Sequence, residues 1–359
     1  MDLELSGQEA LRNSRLNAAR SWMTVRRRLE AGGPMPVRHA PKFQLDRGTP
    51  IFTIGSCFAR EIEKVLIARD MPLLLKGHGV PAEHFESWDP EKGKGGGARG
   101  GELSRAALHK YNAHSMTHEL RRVLKGETYP DAGLIGLGPD QWFDPHASGL
   151  RPLDLPAALA NRRRLEAAMA TVRQAGVVFI TLGLTETWID RETGLAMNRP
   201  PGGRDLLAHQ DRFRFLDFGF RAILEELCAC FALIRESCNP RMRFVVTVSP
   251  VPLGATFRAS DVLVSAAASK AVLRAVAEEL VRSFDYVDYF PSYEMVMASP
   301  RNLAWQPDRA HVSNAMIRHV TDSFLSLYYA GEPAGVGAGT RAGTRAGTRA
   351  GQGALTAAG

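Results

Sequence analysis

Three stretches of this chain are apolar at nearly every position, and each is followed by apolar residues at helical spacing. "PIFTIG" at 50–55 leads into Phe58, Ile62, Val65 and Leu66, which recur at steps of three and four. "VVFITLG" starts at Val177 and "RFVVTVSP" at Arg243, each between periodic segments. A half-buried strand alternates apolar and polar residues, and these strands do not. Continuous apolar strands suit a parallel sheet covered on both faces. Helices are predicted at about 56–69, 104–125, 156–175, 217–237, 262–283 and 311–329, with a further short strand in "FDYVDYF". The β-α-β-α-β-α-β-α order predicts an α/β fold, with helices on both sides of a mostly parallel sheet.

Around this core the pattern weakens in three places. Residues 1–48 read as a basic, helical N-terminal arm with a Pro/Gly connector, "GGPMPVRHAPKF". Residues 331–359 repeat A-G-T-R and cannot bury a core, so disorder is expected there. The folded domain is then 49–330. Inside it, "WDPEKGKGGGARGGE" at 88–102 lacks the G-x-x-x-x-G-K-[ST] of a phosphate-binding loop and reads as a surface loop. A loop of some thirty residues is predicted from Trp188 to Leu216, long enough to serve as a lid.

Composition narrows the class. The 359 residues are 45% hydrophobic and 23% charged, and the net charge of +7 is dispersed. The arginine clusters "VRRRLE" and "NRRRLE" lie in helical surroundings and suit solvated faces. There is no basic stripe interleaved with aromatics, so no nucleic-acid partner is expected. No apolar run reaches the roughly 20 residues of a membrane span, and the first residues lack a signal-peptide core. A cytoplasmic location is therefore the expectation. Cys57, Cys228, Cys230 and Cys238 form no C-x-x-C pair and are expected as reduced thiols. His114 and His118 have the spacing of zinc ligands, but "HSMTH" lacks the glutamate of H-E-x-x-H. No metal and no cofactor are expected.

Ligands of open parallel sheets bind beyond the carboxyl ends of the strands. Here those ends read "IGSCFA", "TLGLTETW" and "TVSPVPL", and "WQPDRAHVS" follows near the C-terminus. Ser56 lies where a strand becomes a helix, and free amides at a helix start can hold an oxyanion. A serine nucleophile needs a base, and Asp308 with His311 three residues later suit an orienting carboxylate and a base. The competing role for Ser56 is an N-cap. Cys57 is the rival nucleophile, since a thiol at a helix N-terminus is reactive. Neighbouring residues there point about 100° apart, so one of the two faces His311.

An early G-[DS]-S turn with a late D-x-x-H resembles the SGNH, or GDSL-like, hydrolases. The closer resemblance is to the GSCFA family, carried by "IGSCFAREIE" at 54–63. It extends to "YNAHSM", "TLGLTETW", "VSPVPLGATF", "SKAVLRA" and "YFPSYEM", across roughly 35–328. The resemblance implies an SGNH-hydrolase-like three-layer α/β/α sandwich with a helical insertion. It implies Ser56 as nucleophile with Asp308 and His311, and leaves Cys57 as a packing residue. Where SGNH enzymes carry G-x-N-D, this chain has Gly183, Leu184, Thr185 and Glu186. The oxyanion would then be held by the Ser56 and Gly183 amides, with Asn112 as a candidate side chain. Thr185, Glu186 and Trp188 are candidates for substrate contact.

The function expected is a serine-dependent acyl esterase acting on a carboxylic ester, with O-acetyl groups on a carbohydrate as one substrate class. Two alternatives stand beside it: an O-acyltransferase modifying a polysaccharide or glycoconjugate with the same triad, and a non-enzymatic module binding carbohydrate or a partner.

Overall fold

The computed structural model describes residues 3–86, 104–202, 209 and 211–329. The glycine-rich segment at 88–102, most of "PGGRD" in the expected lid, and the tail at 331–359 lie outside the described residues. The chain begins with α1 (Gly7–Leu16) and α2 (Trp22–Glu30). Next come β1 (Ile51–Gly55), α3 (Cys57–Ala68) and α4 (Ala113–Lys125). A small hairpin, β2 (Ile135–Gly138) and β3 (Gln141–Phe143), precedes α5 (Leu155–Ala170) and β4 (Val177–Leu182). After β5 (Glu186–Asp190) and β6 (Phe213–Asp217) come α6 (Phe220–Ser237), β7 (Arg243–Val248) and α7 (Val262–Ser283). The chain closes with β8 (Val287–Tyr289), α8 (Ser292–Ala298), α9 (Arg301–Ala304) and α10 (Asn314–Tyr328).

The central sheet has the order β1-β4-β7-β8, parallel throughout, with Ile54 opposite Ile180 and Ile180 opposite Val246. Successive side chains of a strand leave on opposite faces. Phe52, Ile54, Val178, Ile180, Phe244 and Val246 therefore enter one core with α4, α5, α6 and α7. Ile51, Val177, Phe179 and Val245 enter a second core with α3, α8 and α10. Both faces are covered, which is why the strands read as unbroken apolar runs. The α/β class with a parallel sheet flanked by helices holds.

Two departures from the sequence reading bear on the site. The stretch expected as a loop from Trp188 to Leu216 begins and ends as strands: β5 and β6 form an antiparallel ribbon with Trp188 opposite Phe215. The connector placed with the N-terminal arm also packs into the domain. Met35, Phe43 and Leu45 are buried, and the Leu45 amide donates to the Tyr328 carbonyl at 2.7 Å. Helices α1 and α2 bury no residue. Among the described residues, no helix is long and apolar enough to cross a membrane.

Candidate active site

The turn from β1 to α3 decides which side chain meets the histidine. Gly55 has φ +148°, and a Cβ there would sit 2.1 Å from Thr181 Oγ1, so glycine is required on two counts. Ser56 is extended (φ −68°, ψ −176°) and is the N-cap of α3, its Oγ accepting from the Phe58 amide at 3.3 Å. The Ser56 amide donates to Thr181 Oγ1 at 3.1 Å, and the residue is 3% exposed. Its hydroxyl is thus committed to the helix start, the role in which serine excels. Cys57, the first helical residue, lines a cleft together with Ser56 and His311. Among the described residues no hydrogen bond joins Ser56 to His311, whose side-chain partner is Asp308.

Asp308 and His311 come together as expected. Between α9 and α10 the chain makes a tight turn in which Arg309 has φ 60° and the Gln306 amide donates to the His311 carbonyl. Asp308 Oδ1 accepts the amides of Ala310 and His311, each at 3.0 Å, and Oδ2 lies 2.6 Å from His311 Nδ1. Hydrogen bonds to Cys57 and then to Asp308 raise the imidazole to about 9. The amide and ring of His311 hold the Asp308 carboxyl down at about 2. The imidazole therefore keeps its proton through the neutral range, between a thiol and a carboxylate.

The other predicted residues divide. Gly183 follows β4 and faces the Cys57 turn; a Cβ on it would meet the Tyr111 carbonyl at 2.5 Å and Ser56 Cβ at 3.5 Å. Asn112 borders the cleft, but it is the N-cap of α4. Its Oδ1 accepts from the Ser115 amide at 2.8 Å and its Nδ2 donates to the Met197 carbonyl at 3.0 Å. Its Oδ1 is committed to the cap, and one of the two Nδ2 hydrogens is used by the Met197 carbonyl. Thr185 donates to Asp217 at 2.6 Å, tying β4 to β6. Glu186 accepts from Thr256 and from the Phe257 amide, fixing one wall of the cleft. Trp188 packs edge-on against Phe257, with ring centroids 5.0 Å apart.

The cleft measures about 420 Å³, within the range of small-molecule sites. Ser56, Cys57, Gly183 and His311 line it, and Leu184, Met197, Val251, Leu253 and Phe257 make much of the rest apolar. Just after β7 the Ser249 hydroxyl, 1% exposed, has no hydrogen-bond partner among the described residues, and neither has the indole nitrogen of Trp188.

The model of the GSCFA family matches residues 50–324. The chain belongs to the GSCFA family. Comparison with curated proteins and with solved structures gives no match.

Each letter of the GSCFA motif has a physical task in this fold. Gly55 permits the turn, Ser56 caps the helix and Cys57 faces the cleft. Phe58 and Ala59, 1% and 0% exposed, seat the helix on the sheet.

The two histidines with zinc-like spacing are engaged elsewhere. His114 stacks on Phe218 at 3.7 Å, and His118 Nδ1 accepts the Ala196 amide at 3.0 Å. All four cysteines are free thiols.

Proposed function

We propose that this GSCFA protein is an acyl-transfer enzyme in which Cys57 is the nucleophile, His311 its acid–base partner and Asp308 the carboxylate that orients the imidazole. The observation that carries the reading is that Cys57 and His311 line one cleft, with Asp308 2.6 Å from His311 Nδ1, while the Ser56 hydroxyl accepts from the Phe58 amide as a cap. A thiolate beside an imidazolium at a helix N-terminus is the reactive form of cysteine.

The thiolate attacks the carbonyl carbon of an ester, forming a C–S bond, and the carbonyl oxygen becomes an oxyanion. The Cys57 amide, which lies at the start of α3 where no carbonyl of the helix precedes it, and the Gly183 amide beside it are the candidate donors. As the oxyanion collapses the C–O bond breaks, and the departing alkoxide takes the proton of His311. A thioester remains. Water or an acceptor hydroxyl then gives its proton to His311 and attacks the thioester. The C–S bond breaks and the thiolate–imidazolium pair is restored. The apolar walls suit the acyl group, and the unpaired Ser249 hydroxyl suits an acceptor atom on it.

The likeness to SGNH hydrolases supports this reading by analogy alone, with the cysteine standing where those enzymes carry serine. The missing asparagine of their third block fits a site in which backbone amides hold the oxyanion.

The test is a chemical one. The protein is incubated with short-chain nitrophenyl esters, quenched in acid, and mapped by peptide mass. The expected result is an acyl adduct on Cys57 that neutral hydroxylamine removes, as it removes thioesters, and that is absent from Cys57→Ala and His311→Ala. An adduct on Ser56 that resists neutral hydroxylamine would overturn the cysteine mechanism. No adduct on either residue would return the binding-module reading. Discharge accelerated by added sugars identifies a transferase, and discharge indifferent to them an esterase.

A further inference from the structure

Helices α1 and α2 add nothing to either core, yet they leave large apolar side chains in the open. Among the described residues fifteen large apolar side chains are exposed, and seven of them lie between Leu3 and Leu29. Leu16 is 74% exposed and Trp22 77%. Single apolar side chains scattered over a surface are ordinary, whereas nearly half of them gathered in one short arm mark a contact face.

The other side of α2 is already occupied. Arg28 donates to the Pro36 carbonyl at 2.5 Å and to the Thr24 carbonyl at 3.3 Å, and Thr24, Val25 and Arg28 are half-buried. The connector on which they sit is tied to the domain, the Met35 amide donating to Ser299 Oγ at 2.8 Å. At about 100° per residue, the rest of the helix falls within one arc of about 160°, which holds Leu29, Trp22, Arg26, Glu30, Met23 and Arg27. All six are exposed. Glu30 lies 2.8 Å from Arg26 and is answered by it. The outward face of α2 is therefore apolar side chains with guanidiniums set between them. Helix α1 repeats the composition with Leu11, Arg12, Arg15 and Leu16, all exposed. From Leu3 to Glu30 six arginines stand against three glutamates, a net charge of +3, and Glu9 is held in the cap of α1.

Few partners accept both kinds of side chain. A second copy docking through the same face would set arginines against arginines. A nucleic acid would take the guanidiniums and leave Leu16, Trp22 and Leu29 in water. The surface of an anionic bilayer takes both. Tryptophan and leucine enter the boundary below the headgroups, while arginines stay level with the phosphates and lay their stems along the apolar region.

We propose that the N-terminal arm docks on a membrane surface bearing anionic lipids, with Trp22, Met23 and Leu29 entering the interface and Arg26 and Arg27 on the lipid phosphates. Helix α2 has 9 residues and lies on the bilayer, since a span needs roughly 20. None of these residues lines the cleft, so the arm is tested independently of Cys57.

The full chain is floated with phosphatidylcholine vesicles, with and without about one-third phosphatidylglycerol, at about 0.05 M and about 0.5 M salt. The expected result is flotation with the anionic vesicles at low salt, weakened about tenfold or more by high salt or by leaving out phosphatidylglycerol. Arg26→Gln with Arg27→Gln should weaken it about thirtyfold, and Trp22→Ser with Leu29→Ser about tenfold or more. These side chains are exposed, so each variant should melt within a few degrees of wild type. Arg221→Gln with Arg241→Gln removes the same charge from exposed positions elsewhere and should stay within about threefold of wild type. A loss there equal to that of the arm variants would overturn the assigned face and leave net charge alone. No flotation at low salt, or flotation indifferent to phosphatidylglycerol or to the arm variants, would overturn the docking itself. No flotation together with a dimer in light scattering that Trp22→Ser dissolves would give the face to a second copy instead.

Discussion

Ser56→Ala separates the two roles available to the adjacent residues of the motif. The substitution removes the Oγ that accepts from the Phe58 amide at 3.3 Å and leaves the bond from the Ser56 amide to Thr181 in place. Loss of an N-cap oxygen costs about 1 kcal/mol, within a range of roughly 0.5–2. The contact between Ser56 Oγ and Thr181 Oγ1, at 3.5 Å, is long and adds little. For a domain of this size, about 1 kcal/mol corresponds to a fall in Tm of roughly 2–4 °C. The thiol, imidazole and carboxylate are untouched, so acyl-adduct formation on Cys57 should stay within about threefold of wild type. Differential scanning calorimetry gives the first quantity and mass-resolved single-turnover kinetics the second. A drop beyond about a hundredfold in adduct formation, in a variant that melts within a few degrees of wild type, would refute the assignment of Ser56 as a cap and restore it as nucleophile.

Three further outcomes follow from the same geometry. Asp308→Asn removes the acceptor 2.6 Å from His311 Nδ1, and the imidazole should titrate below its value of about 9, as read by NMR. Acylation should slow by about 10²-fold or more, because tautomer and orientation are lost together. In the wild type, the raised His311 stabilises the fold fully below its ordinary value of 6.5, and that contribution fades as pH rises through about 9. Asp308, held down at about 2, contributes above its ordinary 3.8 and loses that contribution as pH falls towards about 2. Both groups are open to solvent, so urea titrations between pH 6 and 10 should show a small decline, and a rise over that interval would contradict the assignment. Gly55→Ala places a methyl 2.1 Å from Thr181 Oγ1 at φ +148°, and should cost roughly 3 kcal/mol or more, read as loss of soluble protein or a Tm lower by many degrees.

The long apolar strands and the helices that follow them were legible because their periods differ so sharply. Helix α7 falls on the predicted 262–283, with Asp261 as its cap. The β5–β6 ribbon was hidden because its strands are short and far apart in the chain, so neither local turn chemistry nor a long alternation announces it. The site was legible as a place: three strand ends and the turn before α10 do converge. What the pattern left ambiguous was a single residue of phase. Whether Ser56 or Cys57 faces His311 depends on where the helix begins, and helix ends are the least certain feature of a periodic pattern. Ser56 and Asn112 both stand one residue before a helix, in the capping position their side chains favour.

Ile135, Phe143, Met197 and Phe213 form a small cluster of their own, against which Trp188 packs, separate from the two cores that sandwich the sheet. The far wall of the cleft therefore rests on a foundation that is not shared with the scaffold presenting Cys57 and His311. Changes to that foundation should reshape one wall of the cleft while the ends of β1, β4 and β7 keep their register.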